Sequence, residues 1–328
     1  MYTAQVDLFV KEREKYSDFR IPAMVVSDQG VLYVAFECRQ DASDWADIDL
    51  CIMKSVDGGV SFQEIKKIYG QGKTMNNPVL FLRDDTLIFM YCVEYNQVFF
   101  ITSQDGGETW GQPEEITAVF EDLPHTVVAT GPGHGIVTPD GTLVAPVWLA
   151  YDWEDPKKHY PSYLTTVYSL DGGKTWQHGE KLEAEELESA NETAIATLRD
   201  GSVLLNIRIR HSEERARFLA TSKTGYDGWN YLGLDHRMPD PRCMGCMCNG
   251  GGKLFFSNCE SIEGRKNLTL KISEDDFATF EAIPICDIAA YSEIAYWDNK
   301  IFVLYETYLQ GPEKRYDHKL HMRTIQLS

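Results

Sequence analysis

The sequence has no long apolar run, and this absence is its first informative feature. No window approaches the roughly 18 consecutive apolar residues of a membrane-spanning helix, so we expect no membrane partner. The first twenty residues also lack the uninterrupted apolar core of a secretory signal. We expect a cytoplasmic protein, and the alternative is a secreted protein whose signal has been removed.

Basic residues are scarce, because 31 lysines and arginines stand against 50 aspartates and glutamates. The formal net charge is −19. A surface this acidic repels phosphate backbones and anionic membranes, which argues against nucleic acid as a partner. An anionic ligand would therefore need a local cluster of arginines set against the field of the whole chain.

The eight cysteines lack the spacing of a disulfide framework and lie mostly in apolar, strand-like segments. Such positions are typical of small buried thiols. The segment RCMGCMC at 242–248 looks like a metal site, but no second Cys or His pair follows at ligand spacing. No loop has the ligand spacing of a calcium site either. The sequence therefore predicts no metal and no cofactor.

Segments with a helical period of 3.6 residues are scarce, whereas short β-rich segments broken by turns run through the whole chain. Residues 156–162 and 180–189 are predicted as loops or single turns. No linker or change of composition divides the chain, so we predict one domain over residues 1–328.

An eight-residue pattern is repeated along the chain, cleanly as SVDGGVSF, SQDGGETW and SLDGGKTW and in degraded form as SKTGYDGW and SEDDFATF. The copies begin at Ser55, Ser103, Ser169, Ser222 and Ser273. The Asp-Gly-Gly core is typical of a hairpin turn, because glycine adopts positive φ at no steric cost. A period of roughly fifty residues with about four strands predicts one blade of a β-propeller. Because turn formers are what repeats, we expect scaffold here and chemistry where the blades differ.

The five copies mark five blades, and the segments at the two ends of the chain are not assigned to any of them. Residues 1–40 and the terminal strand KLHMRTIQL are expected to pair as a sixth blade, which closes the ring and hides its edges. The predicted fold is therefore all-β, a six-bladed β-propeller of four-stranded antiparallel blades.

Three arginines stand in apolar, strand-like surroundings: Arg20 in FRIPAMVV, Arg208 in SVLLNIRI and Arg265 in GRKNLTLKIS. A buried guanidinium must be paired or must await an anion, because an unsatisfied buried charge is costly. For each arginine alone, a salt bridge to a neighbouring blade is the alternative. Together, in so acidic a chain, they predict a carboxylate-binding cluster.

The FRIP strand, the repeats and the later motifs follow one another in an order that resembles bacterial exo-α-sialidases (neuraminidases). These belong to the retaining sialidase superfamily, in which the repeats are called Asp boxes or BNR repeats. The resemblance runs from about residue 17 to 327. It implies that Arg20 is the first arginine of a triad that binds the substrate carboxylate.

The segment CRQDASDWADIDLCIMKSVDGG resembles the family region that carries the general acid/base. The resemblance implies this role for Asp44 and a substrate contact for Arg39. Trp45 would help to wall an N-acyl pocket. Asp47 and Asp49 are competing carboxylates, and the family spacing S-D-x-x-x-I-D selects Asp44.

The segment ANETAIATLRDGSVLLNIR resembles the family region with the partner of the nucleophile and the second triad arginine. These roles are implied for Glu192 and Arg208. Arg210 lies two residues on, on the same strand face, and remains an alternative to Arg208. GRKNLT matches the context of the third arginine, which implies that role for Arg265.

The segment AAYSEIAYWDNKIFVLYE resembles the end of the family's catalytic domain. The resemblance implies that Tyr291 is the nucleophile and that Glu306 holds Arg20 in place. Glu293 and Tyr296 are neighbours that could be confused with the nucleophile or with its supporting carboxylate.

The implied chemistry is consistent with the substrate class. A sialoside carries a carboxylate on its anomeric carbon, so an anionic nucleophile would approach against like charge. A tyrosine arrives neutral and is deprotonated by an adjacent glutamate as it attacks. The partner is then a sialylated glycan. The alternatives are a glycoside of another nonulosonic or ulosonic acid (Kdn, Kdo, pseudaminic or legionaminic acid) and, in another class, a non-catalytic glycan-binding propeller.

Overall fold

The fold is described from a computed structural model, which covers residues 2–187, 189–211, 213–310 and 316–327. Almost all regular structure in these ranges is β-strand, and the helices among them are single 3-10 turns. Those turns are Val6–Phe9, Arg13–Lys15, Thr117–Phe120 and Glu185–Leu187. Within the described part of the chain, no helix is long and apolar enough to cross a membrane.

The described residues form twenty-six strands. In chain order they are β1 (Tyr2–Gln5), β2 (Asp18–Val26), β3 (Leu32–Arg39), β4 (Ile48–Ser55), β5 (Gln63–Ile68), β6 (Met75–Arg83), β7 (Thr86–Val93), β8 (Gln97–Ser103), β9 (Glu114–Glu115), β10 (Val127–Thr130), β11 (Gly133–His134), β12 (Ile136–Val137), β13 (Leu143–Ala150), β14 (Ser162–Ser169), β15 (Gln177–His178), β16 (Ala190–Thr197), β17 (Val203–Ile209), β18 (Ala216–Ser222), β19 (Asn230–Pro239), β20 (Cys246–Gly250), β21 (Lys253–Cys259), β22 (Lys266–Ser273), β23 (Glu281–Ile288), β24 (Ser292–Trp297), β25 (Lys300–Gln310) and β26 (Tyr316–Gln326).

The strands form six sheets, which are the six blades of a propeller. Blade 1 is β2-β3-β4-β5, blade 4 is β16-β17-β18-β19 and blade 5 is β20-β21-β22-β23. Blade 2 (β6 to β9) and blade 3 (β10 and β13 to β15) each carry one extra short strand, β11 and β12 respectively. Blade 6 is β1-β26-β25-β24. The predicted six-bladed all-β propeller is confirmed.

Closure of the ring differs in one respect from the expectation for residues 1–40. Only β1 joins the sixth blade, where Tyr2 pairs with Thr324 and Gln5 with His321. Strands β2 and β3 belong to blade 1, because each repeated turn connects the third strand of a blade to the fourth. Two strands must therefore precede β4, which leads into the first turn.

The repeated turns are held by their own side chains. In the copy that starts at Ser169, the Ser169 hydroxyl accepts the Gly173 N–H at 2.8 Å. The Asp171 carboxylate accepts the Thr175 N–H at 2.9 Å and its hydroxyl at 2.7 Å. The degraded copy at Ser273 forms the same serine contact. The prediction that the repeats are structural turns is confirmed, and none of their residues lines the pocket described below.

The inner strands meet around the centre of the ring. There β24 contacts β2 and β20, β2 contacts β6, and β16 contacts β20, while the short strand β12 of blade 3 contacts both β6 and β16. Three of them carry a β-bulge in which two residues oppose one: β2 between Arg20 and Ala23, β6 between Asn76 and Val79, and β16 between Ala190 and Thr193. A bulge redirects side chains and is over-represented next to active sites. These bulges position the candidate site.

Candidate active site

One pocket collects most of the predicted site residues. Arg20, Arg39, Asp44, Glu192, Arg208, Arg265 and Tyr291 all line it. Five arginines and two carboxylates are among its lining residues, so the pocket carries an excess of positive charge inside a chain of net charge −19. The arginine cluster that the sequence requires for an anionic ligand is therefore present. A larger cavity of about 400 Å³ adjoins it and shares Arg20 and Arg265.

Arg20 projects from the bulge in β2. The next residue, Ile21, has φ of +57°, a strained conformation for a β-branched residue. Glu306, fully buried on β25, stabilises this strained backbone. Its carboxylate accepts the Ile21 N–H at 2.7 Å and pairs with the Arg20 guanidinium at 3.3 Å. Burial acts to raise the pKa of Glu306, but the charge of Arg20 and the Ile21 N–H hold it below its ordinary value. Glu306 thus fixes Arg20 from outside the pocket.

Glu192 lies in the bulge of β16, and Arg208 stands opposite it on β17. Ala190 pairs with Ile209 and Thr193 with Ile207, so the two bulged residues face Arg208 alone. The Arg208 guanidinium forms an ion pair with the Glu192 carboxylate. The local register therefore brings a carboxylate and a guanidinium group together at the pocket.

Tyr291 precedes β24 and lies at the centre of the cluster, with 4% of its surface exposed. Its hydroxyl donates to Glu192 Oε1 at 2.5 Å and accepts from Arg208 Nη1 at 2.9 Å. The guanidinium carbons of Arg20 and Arg265 each lie 5.1 Å from the centre of the Tyr291 ring. All three predicted triad arginines therefore surround this one tyrosine.

Asp44 lies on the loop between β3 and β4 and lines the same pocket as Arg208 of β17. Its carboxylate accepts from Arg39 Nη1 at 2.8 Å, and 46% of its side chain is exposed. Enclosure by the protein acts to raise the pKa of Asp44, but the charges of Arg39 and Arg20 and the hydrogen bond from Arg39 hold it below its ordinary value. These contacts therefore favour the carboxylate form of Asp44.

Arg39 is fully buried and links Asp44 to a residue that the sequence analysis missed. Its Nε donates to Glu37 Oε2 at 2.7 Å. Glu37 is itself fully buried and accepts the Asn77 N–H from the bulge of β6 at 2.9 Å. The sequence could have predicted this pairing, because Glu37 stands two residues before Arg39 in an apolar strand and so shares its face.

An aromatic wall closes one side of the pocket. Tyr95, Trp148 and His159 line it, and the Tyr95 and His159 rings are 4.5 Å apart. Trp45 does not line the pocket but packs behind these rings, 5.0 Å from Tyr95 and 5.9 Å from His159. Burial, together with the charges of Arg210, Arg208 and Arg39, lowers the pKa of His159 to about 4. His159 belongs to the predicted loop 156–162, and no sequence signal connected it with the site.

The competing residues occupy other places. Asp49 accepts the Tyr16 hydroxyl at 2.6 Å and the Gly70 N–H at 2.7 Å. Asp47 accepts from Gln40 Nε2 at 2.9 Å.

Neither Glu293, paired with His134, nor Tyr296, hydrogen-bonded to Asn299, lines the pocket. Arg210 does line it, half-buried, but Arg208 is the arginine that contacts Tyr291 and Glu192.

Comparisons with known proteins agree with this fold. The chain is 25% identical over 303 residues to a sialidase of Bacteroides fragilis, a match that covers 80% of the chain and 54% of that relative. The Hadza microbial sialidase Hz136 superposes with a TM-score of 0.80 at 20% identity over 96% of the chain and 66% of that structure. A Trypanosoma rangeli sialidase, in complex with 2,3-difluorosialic acid as a covalent intermediate, superposes with a TM-score of 0.77 at 17% identity over 98% of the chain and 58% of that structure.

The chain thus spans about half of the length of the Bacteroides relative. The model of the BNR repeat-like domain matches residues 67–303, well over half of the chain. With the five turns and the six blades described above, the match identifies the chain as a member of the BNR repeat-like domain family.

Proposed function

We propose that the protein is a retaining exo-α-sialidase that releases terminal α-linked sialic acid from glycoconjugates through a covalent tyrosyl intermediate. The observation that carries this proposal is the contact of Tyr291 with Glu192, inside a ring of three arginines. An arginine cluster selects a carboxylate ligand, and a tyrosine beside a general base supplies a neutral nucleophile.

In the first step, the substrate carboxylate binds the guanidinium groups of Arg20, Arg208 and Arg265. The Tyr291 oxygen attacks the anomeric carbon while its proton passes to Glu192, and the bond to the leaving oxygen breaks. The ion pair between Arg208 and Glu192 keeps the base ionised and oriented for this transfer. The three guanidinium groups stay bound to the substrate carboxylate as the oxocarbenium-like transition state forms.

Asp44 supplies the proton that the leaving oxygen needs. Before substrate binds, Arg39 and Arg20 favour the ionised form of Asp44. A bound substrate carboxylate offsets the charge of Arg20 and shields Asp44 from water, and both effects raise the pKa of Asp44. Asp44 thus becomes a competent acid once substrate is bound.

In the second step, Asp44, now ionised, takes a proton from water, which attacks the anomeric carbon and breaks the bond to Tyr291. Glu192 returns the proton to the Tyr291 oxygen. Two displacements give net retention. The cavity of about 400 Å³ next to Arg20, with Ala42 of the Asp44 loop in its wall, offers room for the aglycone.

The identity of the sugar is a separate question. The aromatic wall of Tyr95 and His159, with Trp45 behind it, supports an N-acyl substituent and so favours N-acetylneuraminic acid over Kdn or Kdo. The test is turnover of aryl α-glycosides of these three sugars by wild type, Tyr291→Phe and Asp44→Ala. Release from the N-acetylneuraminic acid glycoside, lost in Tyr291→Phe, is expected. No turnover of any of the three would refute the enzyme assignment, and a preference for Kdn or Kdo would refute the choice of sugar.

A further inference from the structure

A second cluster of titratable side chains lies at the centre of the ring. It consists of His134 on β11, Cys246 on β20 and Glu293 on β24, and we call it the axial cluster. These strands belong to blades 2, 5 and 6, and each lies at the inner edge of its sheet. Side chains from blades 2 and 5, which are not neighbours in the ring, meet only near the axis. None of the three residues lines the pocket of Tyr291 or has a role in the proposed reaction.

The donor atoms of the axial cluster are gathered at the separation that a metal ion needs. One nitrogen, one sulfur and one carboxylate oxygen all lie within 4.8 Å of one another. The Cys246 sulfur is 3.8 Å from His134 Nδ1. Bonds of about 2.3 Å to sulfur and about 2.0 Å to nitrogen at a tetrahedral ion place these two donors roughly 3.6 Å apart. His134 Nδ1 also contacts Glu293 Oε1, and an ion would replace this hydrogen bond.

Surrounding backbone shapes the cluster. The Ile294 N–H donates to the Cys246 sulfur at 3.3 Å, an outer contact of the kind that stabilises a metal-bound thiolate. Gly133 has φ of +117°, and a Cβ atom there would lie 2.7 Å from Glu293 Oε2. The glycine therefore allows β11 to bring His134 up to the carboxylate.

The charge of the axial cluster also fits a dication. Glu293 is 1% exposed, and among the described residues its ion-pair partner is His134 alone. A carboxylate, a thiolate and a neutral imidazole carry two negative charges together, which one divalent ion neutralises. Sulfur and imidazole ligands select zinc and its neighbours, whereas calcium prefers an all-oxygen shell.

We propose that His134, Cys246 and Glu293 bind one zinc-class divalent transition-metal ion, with water as the fourth ligand. Binding displaces the thiol proton and the proton shared by His134 and Glu293 to solvent. The ion joins the inner strands of three blades. Because Tyr291 lies two residues before Glu293, it also braces the strand that follows the tyrosine. The sequence conceals this site, because the partners of RCMGCMC come from distant segments, with His134 separated from Cys246 by 112 positions.

The test uses the full chain and does not depend on the proposed activity. Protein stripped with a chelator is dialysed against Zn²⁺, and the retained zinc is measured by mass spectrometry. A parallel sample receives Co²⁺ and is examined by absorption spectroscopy. We expect about one zinc per chain, a thiolate-to-cobalt charge-transfer band in the near ultraviolet and a zinc-dependent rise in the thermal unfolding midpoint.

The Cys246→Ser variant is expected to lose the charge-transfer band and at least tenfold in zinc affinity. The matched control is Cys92→Ser, which changes another fully buried cysteine outside the axial cluster. If Cys246→Ser does not fold, Glu293→Gln and the cobalt spectrum of wild type decide. The proposal is refuted if wild type retains no zinc or if its cobalt spectrum lacks the thiolate band. The axial cluster would then be a hydrogen-bonded group that shares protons.

Discussion

The Asp44→Ala substitution separates catalysis from stability, because the two effects differ greatly in size. The carboxylate of Asp44 contacts Arg39 at 2.8 Å, but 46% of the side chain is exposed. Exposed ion pairs contribute about 0–1 kcal/mol. Arg39 keeps its buried partner Glu37 in the variant, so no buried charge is left unpaired. We therefore expect the free energy of unfolding to fall by about 1 kcal/mol or less.

The catalytic effect of the same substitution depends on the leaving group. General acid catalysis contributes roughly 100- to 10,000-fold, which is about 3 to 5 kcal/mol of barrier. A lactosyl leaving group needs the proton of Asp44, whereas a 4-methylumbelliferyl group departs as a stabilised anion. We expect kcat/KM of Asp44→Ala to fall by that factor for sialyllactose and by less than about tenfold for the aryl sialoside.

The assay compares kcat/KM of both substrates with urea unfolding curves of wild type and variant. Asp47→Ala is the matched control, because it removes a carboxylate from the same loop that does not line the pocket. A burst of aryl alcohol in Asp44→Ala would show that the slow step is now release of the sugar from the enzyme. Equal losses for the two substrates, or an unchanged rate on sialyllactose, would contradict the role of Asp44 as the acid.

Two further predictions concern residues around the site, and a third concerns one of the repeated turns. Glu306→Gln leaves Arg20 without its buried carboxylate partner. It is expected to raise KM at least tenfold and to lower the free energy of unfolding by about 3 kcal/mol at pH 7. In urea titrations this difference should shrink as pH falls below about 4, because the lowered pKa of Glu306 stabilises only the ionised form. The pKa of His159 is about 4 in the folded chain and about 6.5 when unfolded, so protonation of the unfolded chain destabilises wild type as pH falls from 7 to 4. In His159→Gln the free energy of unfolding should therefore fall less over this range, by a difference of at most about 3 kcal/mol. An unchanged pH dependence of unfolding would contradict this. Asp171→Ala should lower the thermal unfolding midpoint and leave kcat/KM at 25 °C unchanged, because Asp171 stabilises a turn that does not line the pocket. A loss of kcat/KM would contradict the purely structural role of the turn.

The fold was predictable because its signal is repeated and local. Each copy of the turn carries its own hydrogen-bonding serine and, in four of the five, an aspartate; the copy at Ser222 uses Thr224 instead. The count of blades follows from the copies. The sequence did not show that β2 and β3 belong to blade 1 and not to blade 6, because both strands precede the first turn and resemble any other pair of apolar strands.

The candidate site was predictable where one residue sits in a distinctive motif. FRIP, Ser-Asp-x-x-x-Ile-Asp and Asn-x-Arg led to Arg20, Asp44 and Arg208. Glu37 and His159 escaped, since their relation to the pocket depends on pairing across strands and on the path of a loop. The bulges that aim Arg20 and Glu192 depend on register, which no single segment specifies.

The central claim is that Tyr291 attacks the anomeric carbon. Incubation of the protein with a 2,3-difluorosialic acid, followed by acid quenching and peptide mass spectrometry, tests it directly. We predict one sugar adduct per chain, on the peptide that contains Tyr291 and on the Tyr291 oxygen, with no adduct in Tyr291→Phe. An adduct on Glu192, Asp44 or any other residue, or turnover of an aryl sialoside at the wild-type rate by Tyr291→Phe, would contradict it.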